Sequence, residues 1–492
     1  MRPIILIWLV AGLVMCSCAG NGGEGELLLL AMEDDIVNLD PFLHDDSITH
    51  SVLGNIFEGL VSFDTEMQLQ PSLAIGWENP DDLTWRFRLR PGVYFHNGRE
   101  MKADDVKYSL DRARRGKVGY YLSAVDQVRV LDDMTIEITT LMPTSILLNK
   151  LTFISVVPRD SDEPLSIPVG TGPYRFVKYQ PNGEMELRGF DRYWRGRPAI
   201  KRAVFRAIPD EASRVEALLA GQVHLIRDVE RQTVEHYVNH RLVSFVTGPG
   251  LGVSLLGINF RQPGPWQDRR VREAIYWAID PAEAARASGW DALPIDQLVS
   301  PYIVGYSPDI KASRPDLKRA RKLLAEAGYA SGFDLPLEMS RSAANTTGEV
   351  LTRQLAQVGI RARPISLDWP ELTDRLNRRQ THMFLLGWSC SSGDASDLFD
   401  ACLHSGKTAS YGSVNWSGYS NRKLDALIER SNQVLDNRER IEILKQAMNL
   451  AMSDYPMIPI FSRNRIYGAS HRIVFHPRQD GRIKIYEITW RK

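Results

Sequence analysis

Residues 85–113 read WRFRLRPGVYFHNGREMKADDVKYSLDRA, and this run carries most of the fold information in the chain. Trp85, Phe87 and Leu89 alternate with Arg86, Arg88 and Arg90. That period of two predicts a half-buried strand over Thr84–Arg90. Pro91-Gly92 then turns the chain into a short strand, Val93-Tyr94-Phe95, with Gly98 as the turn residue beyond it. Asp104-Asp105 opens a helix whose Val106, Leu110 and Ala113 share one face. Working outward, TIEIT (Thr135 to Thr139) follows the Asp132-Asp133 turn and predicts a second strand. Glu211 to Ala220 reads as a helix with Val215, Leu218 and Leu219 inward, stopped by Gly221. Another helix starts near Pro315-Asp316, carries Leu317, Ala320, Leu324 and Ala327 at helical spacing, and stops at Gly328. Asn421 to Tyr455 holds two amphipathic helices broken around Leu435 to Asn437. Strands and helices alternate without an internal repeat, so the expected class is α/β, with helices packed on several sheets.

The 492 residues contain 60 Lys+Arg and 60 Asp+Glu, a formal net charge of zero. A nucleic-acid protein would normally show a basic excess. Hydrophobic residues at 43% and charged residues at 24% fit an ordinary folded chain rather than a disordered one. At this length two or three domains are expected. Only the first apolar run, Ile4 to Met15, invites a membrane reading, and it is too short to span. It suits the core of a signal peptide. VMCSCAG follows, and Cys18 sits after a small residue with Met15 three before it. We therefore read 1–18 as a lipoprotein signal ending at lipidated Cys18, and 19–25 as a flexible Gly-rich tether. Two further cysteines, Cys390 and Cys402, suggest a disulfide in an exported protein. Closing their loop of about 13 residues adds roughly 3 kcal/mol in a chain-entropy account. Two buried thiols are the alternative.

Enzyme signatures are missing from the sequence. There is no GxSxG, HExxH, P-loop or GxGxxG motif. His236 and His240 are spaced i,i+4 but lack a recognisable third ligand, so no metal site is assigned. Paired carboxylates such as Asp34-Asp35, Asp45-Asp46 and Asp104-Asp105 suit helix starts and turns. No catalytic residue and no cofactor are assigned.

Several segments together resemble the family 5 extracellular solute-binding proteins of ABC transporters. They are NLDP (38–41), IFEGL (56–60), PSLAIGW (71–77), the 85–113 block, GTGPYRF (170–176) and YWRGRP (193–198). ALLAGQVHLI (217–226), INFRQPGPWQDRRVREAIYWAID (258–280) and ARKLLAEAG (320–328) continue in the same order. The resemblance implies a two-lobe periplasmic-binding-protein-like fold (type II) with an extra inserted subdomain. It places a core subdomain of lobe I at 26–57, 173–257 and 466–492, the insertion at 58–172, and lobe II at 258–465. LLGIN (255–259) and PIFSRNR (459–465) become the hinge strands. The implied function is non-enzymatic. An exported lipid-anchored monomer, periplasmic or at the cell surface, captures a peptide or similar solute by hinge closure and hands it to an ABC permease. A nickel chelate, an oligosaccharide, an opine-like ligand, or a receptor or chaperone role without transport are the alternatives.

The resemblance also implies where ligand is met. The loop after Pro41 contributes His44, Asp45 and Asp46. Arg341 aligns with an arginine that pairs a peptide carboxylate, a role suited to a guanidinium. The loop beginning at Gly387-Trp388 contributes Trp388, and places Ser391 where dipeptide binders carry an ammonium-binding Asp. Asp394 is the nearest substitute carboxylate. Trp416 is a further cleft candidate, and Asn259, closing the first hinge strand, is taken with them.

Overall fold

A computed structural model describes residues 27–311, 314–408 and 410–491. The expected signal segment, Cys18 and the tether lie outside the described residues. The strand expected at Thr84–Arg90 runs over Thr84–Leu89, with Trp85, Phe87 and Leu89 buried. It pairs with Ala74–Asp81 on one side and Thr135–Thr140 on the other, and Val125–Asp132 completes a four-stranded antiparallel sheet. The helix Ala103–Ala113 covers this sheet. Asp105 ties its start down, accepting the backbone N–H of Lys102 at 2.9 Å and Arg99 at 2.6 Å.

A second sheet of eleven strands runs through the whole molecule. Two long strands, Val243–Ile258 and Met457–Ser470, form its centre and pair antiparallel. On one side follow Leu225–Arg227, Leu27–Met32, Arg202–Ala207, Glu184–Gly189 and Tyr174–Tyr179. On the other follow Met383–Ser389, Phe333–Ser340 and Ile360–Leu367, and the short strand Ala292–Pro294 pairs with Met457–Ser470 off this path.

Two large apolar cores flank the central strands, one per lobe. The first draws on residues from Leu28 to Phe205 and from Tyr467 to Ile488. The second draws on Leu251 to Phe461. Phe87, Ile136 and Ile138 of the four-stranded sheet belong to the same cluster as Leu28, Leu30 and Tyr174. The 58–172 segment thus shares one core with the strands around it. GTGPY shows how it is stitched in. A Cβ on Gly170 would lie 2.1 Å from the Ile56 carbonyl oxygen, so only glycine permits this crossing.

The remaining helices follow their sequence signals. Leu317–Glu326 is capped by Asp316, which accepts the Arg319 N–H at 2.9 Å. Arg422–Gln433 and Asn437–Asp454 are separate helices, as the break at 435–437 predicts. His236 lies in the helix Arg231–Tyr237, but His240 falls after its end, so the pair shares no helix face.

The two central strands lose register between Gly248 and Gly252, whose partners are Arg465 and Arg463. Here a Cβ on Gly250 would sit 1.6 Å from the Arg463 carbonyl oxygen. A second register shift follows between Ser254 and Leu255, at the start of the expected 255–259 segment. Leu255, Leu256 and Ile258 pack in the second core.

Candidate functional site: a charged cavity at the strand break

A cavity of about 490 Å³ opens at this break. The first lobe lines it with Glu33, the helix start Asp45 to Ser47, Tyr121, Phe153, Arg227-Asp228 and the segment 479–482. The second lobe adds Leu251 to Val253 and the loop Gly387 to Ser391, and the break itself adds Arg463 to Arg465.

Its charges fall into two groups. The first is already neutralised. Arg227 forks onto Glu33 with Nε at 3.0 and 3.1 Å from the two carboxylate oxygens. Burial would raise the Glu33 carboxyl, but Arg227 outweighs it and holds it below its ordinary value. Asp480 is clasped by Arg478 through two contacts of 2.9 Å.

The second group is open. Arg463 lies 3.8 Å over the Trp290 ring and has no ion pair among the described residues. Burial lowers its pKa. Arg465 is only partly open: burial would lower its pKa, but Tyr467, Asp228 at 3.8 Å and Glu33 outweigh it. Arg482 lies over Phe153 at 5.1 Å and reaches only the outer limit of an ion pair, 4.0 Å, to Asp480. On the acidic side, Asp46 caps the helix Ser47–Leu53 through one oxygen, at 3.0 and 2.8 Å from the Ile48 and Thr49 amides. Its other oxygen is buried without a hydrogen bond. Asp45 beside it is exposed. Tyr121 stacks on Phe153 at 4.5 Å, giving an aromatic wall. The Trp388 Nε1 donor is also buried and unpartnered. The cavity can therefore offer guanidiniums to an anionic group, carboxylates to an ammonium, and rings to an apolar body.

Of the residues singled out from sequence, Asp45, Asp46, Trp388 and Ser391 line this cavity, and His44 lines a smaller adjoining chamber. Four others lie outside both, for identifiable reasons. Arg341 is 67% exposed and forks onto Asp368 at 2.6 and 3.2 Å. Asp394 is buried with both oxygens held by Arg440 at 2.6 and 2.8 Å, and one also caps Ser396. Trp416 donates Nε1 to Asn377 at 2.9 Å. Asn259 is fully buried and ties the backbone carbonyls of Arg379 and Thr381 at 3.0 and 2.7 Å. The expected Cys390–Cys402 bridge is not formed either. Both are separate thiols in the second core, where burial pushes their pKa up and they pack as small apolar groups.

Sequence reasoning missed Arg463, Arg465 and Arg482. The first two were visible as an i,i+2 pair in PIFSRNR, pointing to one side of a strand. They were absorbed into the hinge reading.

A family model described as bacterial extracellular solute-binding proteins, family 5 Middle, matches residues 68–410. The chain is a family 5 extracellular solute-binding protein. Among curated relatives, the family 5 protein called glutathione-binding protein GsiB of Pectobacterium atrosepticum is 28% identical, covering 95% of this chain and 94% of its own. Heme-binding protein A of Haemophilus influenzae is 27% identical over 82% of this chain and 81% of its own. Among solved structures, the periplasmic binding protein DppA of Helicobacter pylori, in complex with the peptide STSA, superposes with a TM-score of 0.78. Its identity is 25%, covering 95% of this chain and 98% of that one. Membership in family 5 makes this an extracytoplasmic substrate-binding protein of an ABC transporter, with the two-lobe type II fold, and not an enzyme. No helix among the described residues is long and apolar enough to cross a membrane.

Proposed function

We propose that this family 5 protein is lipid-anchored through Cys18 and captures a peptide-like zwitterion between its lobes for an ABC permease. The observation that carries the reading is the mixed, partly uncompensated charge of the 490 Å³ cavity. Arg463 takes the ligand carboxylate, and Asp45 with the free oxygen of Asp46 takes the ammonium. Trp388, Tyr121 and Phe153 pack the body between them. Ser391 contributes at most a hydroxyl, so the acidic anchor comes from the first lobe. A neutral oligosaccharide would leave the half-buried guanidinium of Arg463 without an ion-pair partner among the described residues, which is costly. The similarity to glutathione- and peptide-binding relatives supports the same class. The lobe limits that go with this reading are 26–57, 173–257 and 466–492 with the insertion 58–172 for lobe I, and 258–465 for lobe II, with 255–259 and 459–465 as the hinge strands.

Thermal-shift screening of the chain from about residue 24 tests the proposal. The panel holds di- to pentapeptides, glutathione, nickel chelates and oligosaccharides. A ligand at 100 times its Kd stabilises by about 2.7 kcal/mol. A response to oligosaccharides alone would overturn the peptide-like reading.

A further inference from the structure

A second chamber of about 90 Å³ adjoins the ligand cavity, sharing His50, Asp480 and Arg482 with it. Its acidic groups are all occupied. Glu58 accepts hydrogen bonds from Thr171, Tyr193 and Trp194 at 2.9, 2.8 and 3.0 Å. Asp480 and Glu487 are both held by Arg478, at 2.9 and 2.6 Å. Of its basic groups, Arg478 is fully engaged, whereas Arg482, Lys484 and His44 are not. Lys484 is half-buried in the chamber lining, and its side chain makes no hydrogen bond or ion pair among the described residues, with Asp480 and Glu487 only partly offsetting its burial. Arg482 makes only its 4.0 Å contact with the already saturated Asp480. His44 is 1% exposed, and neither ring nitrogen makes a hydrogen bond, although Nδ1 stands 3.6 Å from the Asp46 carboxylate, which leaves Nε2 as the free edge. Burial pushes the His44 pKa down, leaving a neutral ring that can present an N–H. Burial, with Arg478 and Arg482 nearby, brings Lys484 down to about 8, so it is largely charged at neutral pH.

Two weakly compensated cations and a ring without a hydrogen bond, around a space the size of a few atoms, favour the entry of an anion. We propose that this chamber is a carboxylate pocket that receives an acidic arm of the bound solute through Arg482, Lys484 and His44. The solute would then carry a second carboxylate beyond the one met by Arg463. This rests on the reading that the main cavity takes a peptide-like zwitterion, and it narrows that class to diacids.

The test is calorimetry with tripeptides that differ only by Glu or Gln at one position, taken in turn, and with glutathione against its monoethyl ester. Wild type is compared with Lys484→Met, and Arg482→Gln serves as a second variant. Lys484→Met should fold about as stably as wild type, because it removes a half-buried cation whose side chain makes no hydrogen bond or ion pair among the described residues. For one position, the Glu peptide should bind wild type at least tenfold tighter than its Gln twin. In Lys484→Met that ratio should fall to within twofold while the Gln peptide keeps its affinity. Equal binding of Glu and Gln peptides at every position, or equal weakening of both by Lys484→Met, would overturn the pocket. If no peptide binds, citrate and succinate decide between the two readings. A thermal shift in wild type that Lys484→Met abolishes would keep the pocket and remove the peptide-like ligand. No shift with either acid would remove both.

Discussion

Arg463 and Arg341 differ in a single respect that decides their roles, which is what surrounds the guanidinium. Arg463 lies over Trp290 in the cavity wall without a carboxylate partner. Arg463→Met should therefore weaken a carboxylate ligand by roughly 1.5–3 kcal/mol, the cost of losing a charged hydrogen bond. Arg341 spends its charge on Asp368 at the surface, with both side chains about two-thirds exposed. Exposed pairs contribute little, so Arg341→Ala should change affinity and stability by less than about 0.5 kcal/mol. Titration calorimetry on both variants checks the contrast. Asp394 belongs to a third kind, a buried ion pair with Arg440 whose side chains are 3% and 7% exposed. Asp394→Ala strands Arg440 and should cost about 3–5 kcal/mol of stability in thermal denaturation. The sequence made Asp394 visible as a carboxylate near the ligand loop. It could not display Arg440, 46 residues away, which consumes both of its oxygens.

Among elements, those with a period were legible and those made by backbone contact were not. The alternation at 84–90 and the helical spacing at 317–327 both correspond to observed elements because burial on one face imposes the pattern. The break in the central strands has no such pattern. It exists because Gly250 lets the backbone approach the Arg463 carbonyl, a partner over two hundred residues away in the chain. Gly250→Ala should force the strands apart there, destabilising the protein by about 1–3 kcal/mol. It should also weaken ligand, because Gly250 and Arg463 line the same cavity. Thermal denaturation with and without a ligand found in the screen would register both effects. The GPGLG run at 248–252 was the available signal, and glycine in a strand does often mark a close backbone approach.

At the scale of the whole molecule, the lobes also meet away from the cavity. Asn149 donates to the Ser392 carbonyl at 2.9 Å, and Arg440 donates to Ser145 at 2.8 Å. Behind this seam, burial raises the carboxyls of Asp397 to about 6 and Asp400 to about 7, with neighbouring carboxylates adding to the effect and Lys150 opposing it. Against an ordinary value of 3.8, the folded state holds protons there that the unfolded state has released. Stability from these groups is therefore present at low pH and is lost as pH rises through about 6 to 7. Melting curves at pH 5 and pH 8 should show it, and Asp400→Asn should flatten the difference. The sequence conveyed the two-lobe fold through ordered motifs, but the shared core of 58–172 with the first lobe could not be read from composition. One feature of that core reaches into the making of the protein. Ile483, Ile485 and Ile488 complete the first lobe's interior, and Arg482 and Lys484 on the same segment face the two chambers. A ribosome emits this segment only after the entire second lobe. The lobe begun first is thus finished last, and a chain interrupted just short of residue 478 would lack both the keystone of its older half and the cations it holds out to the solute.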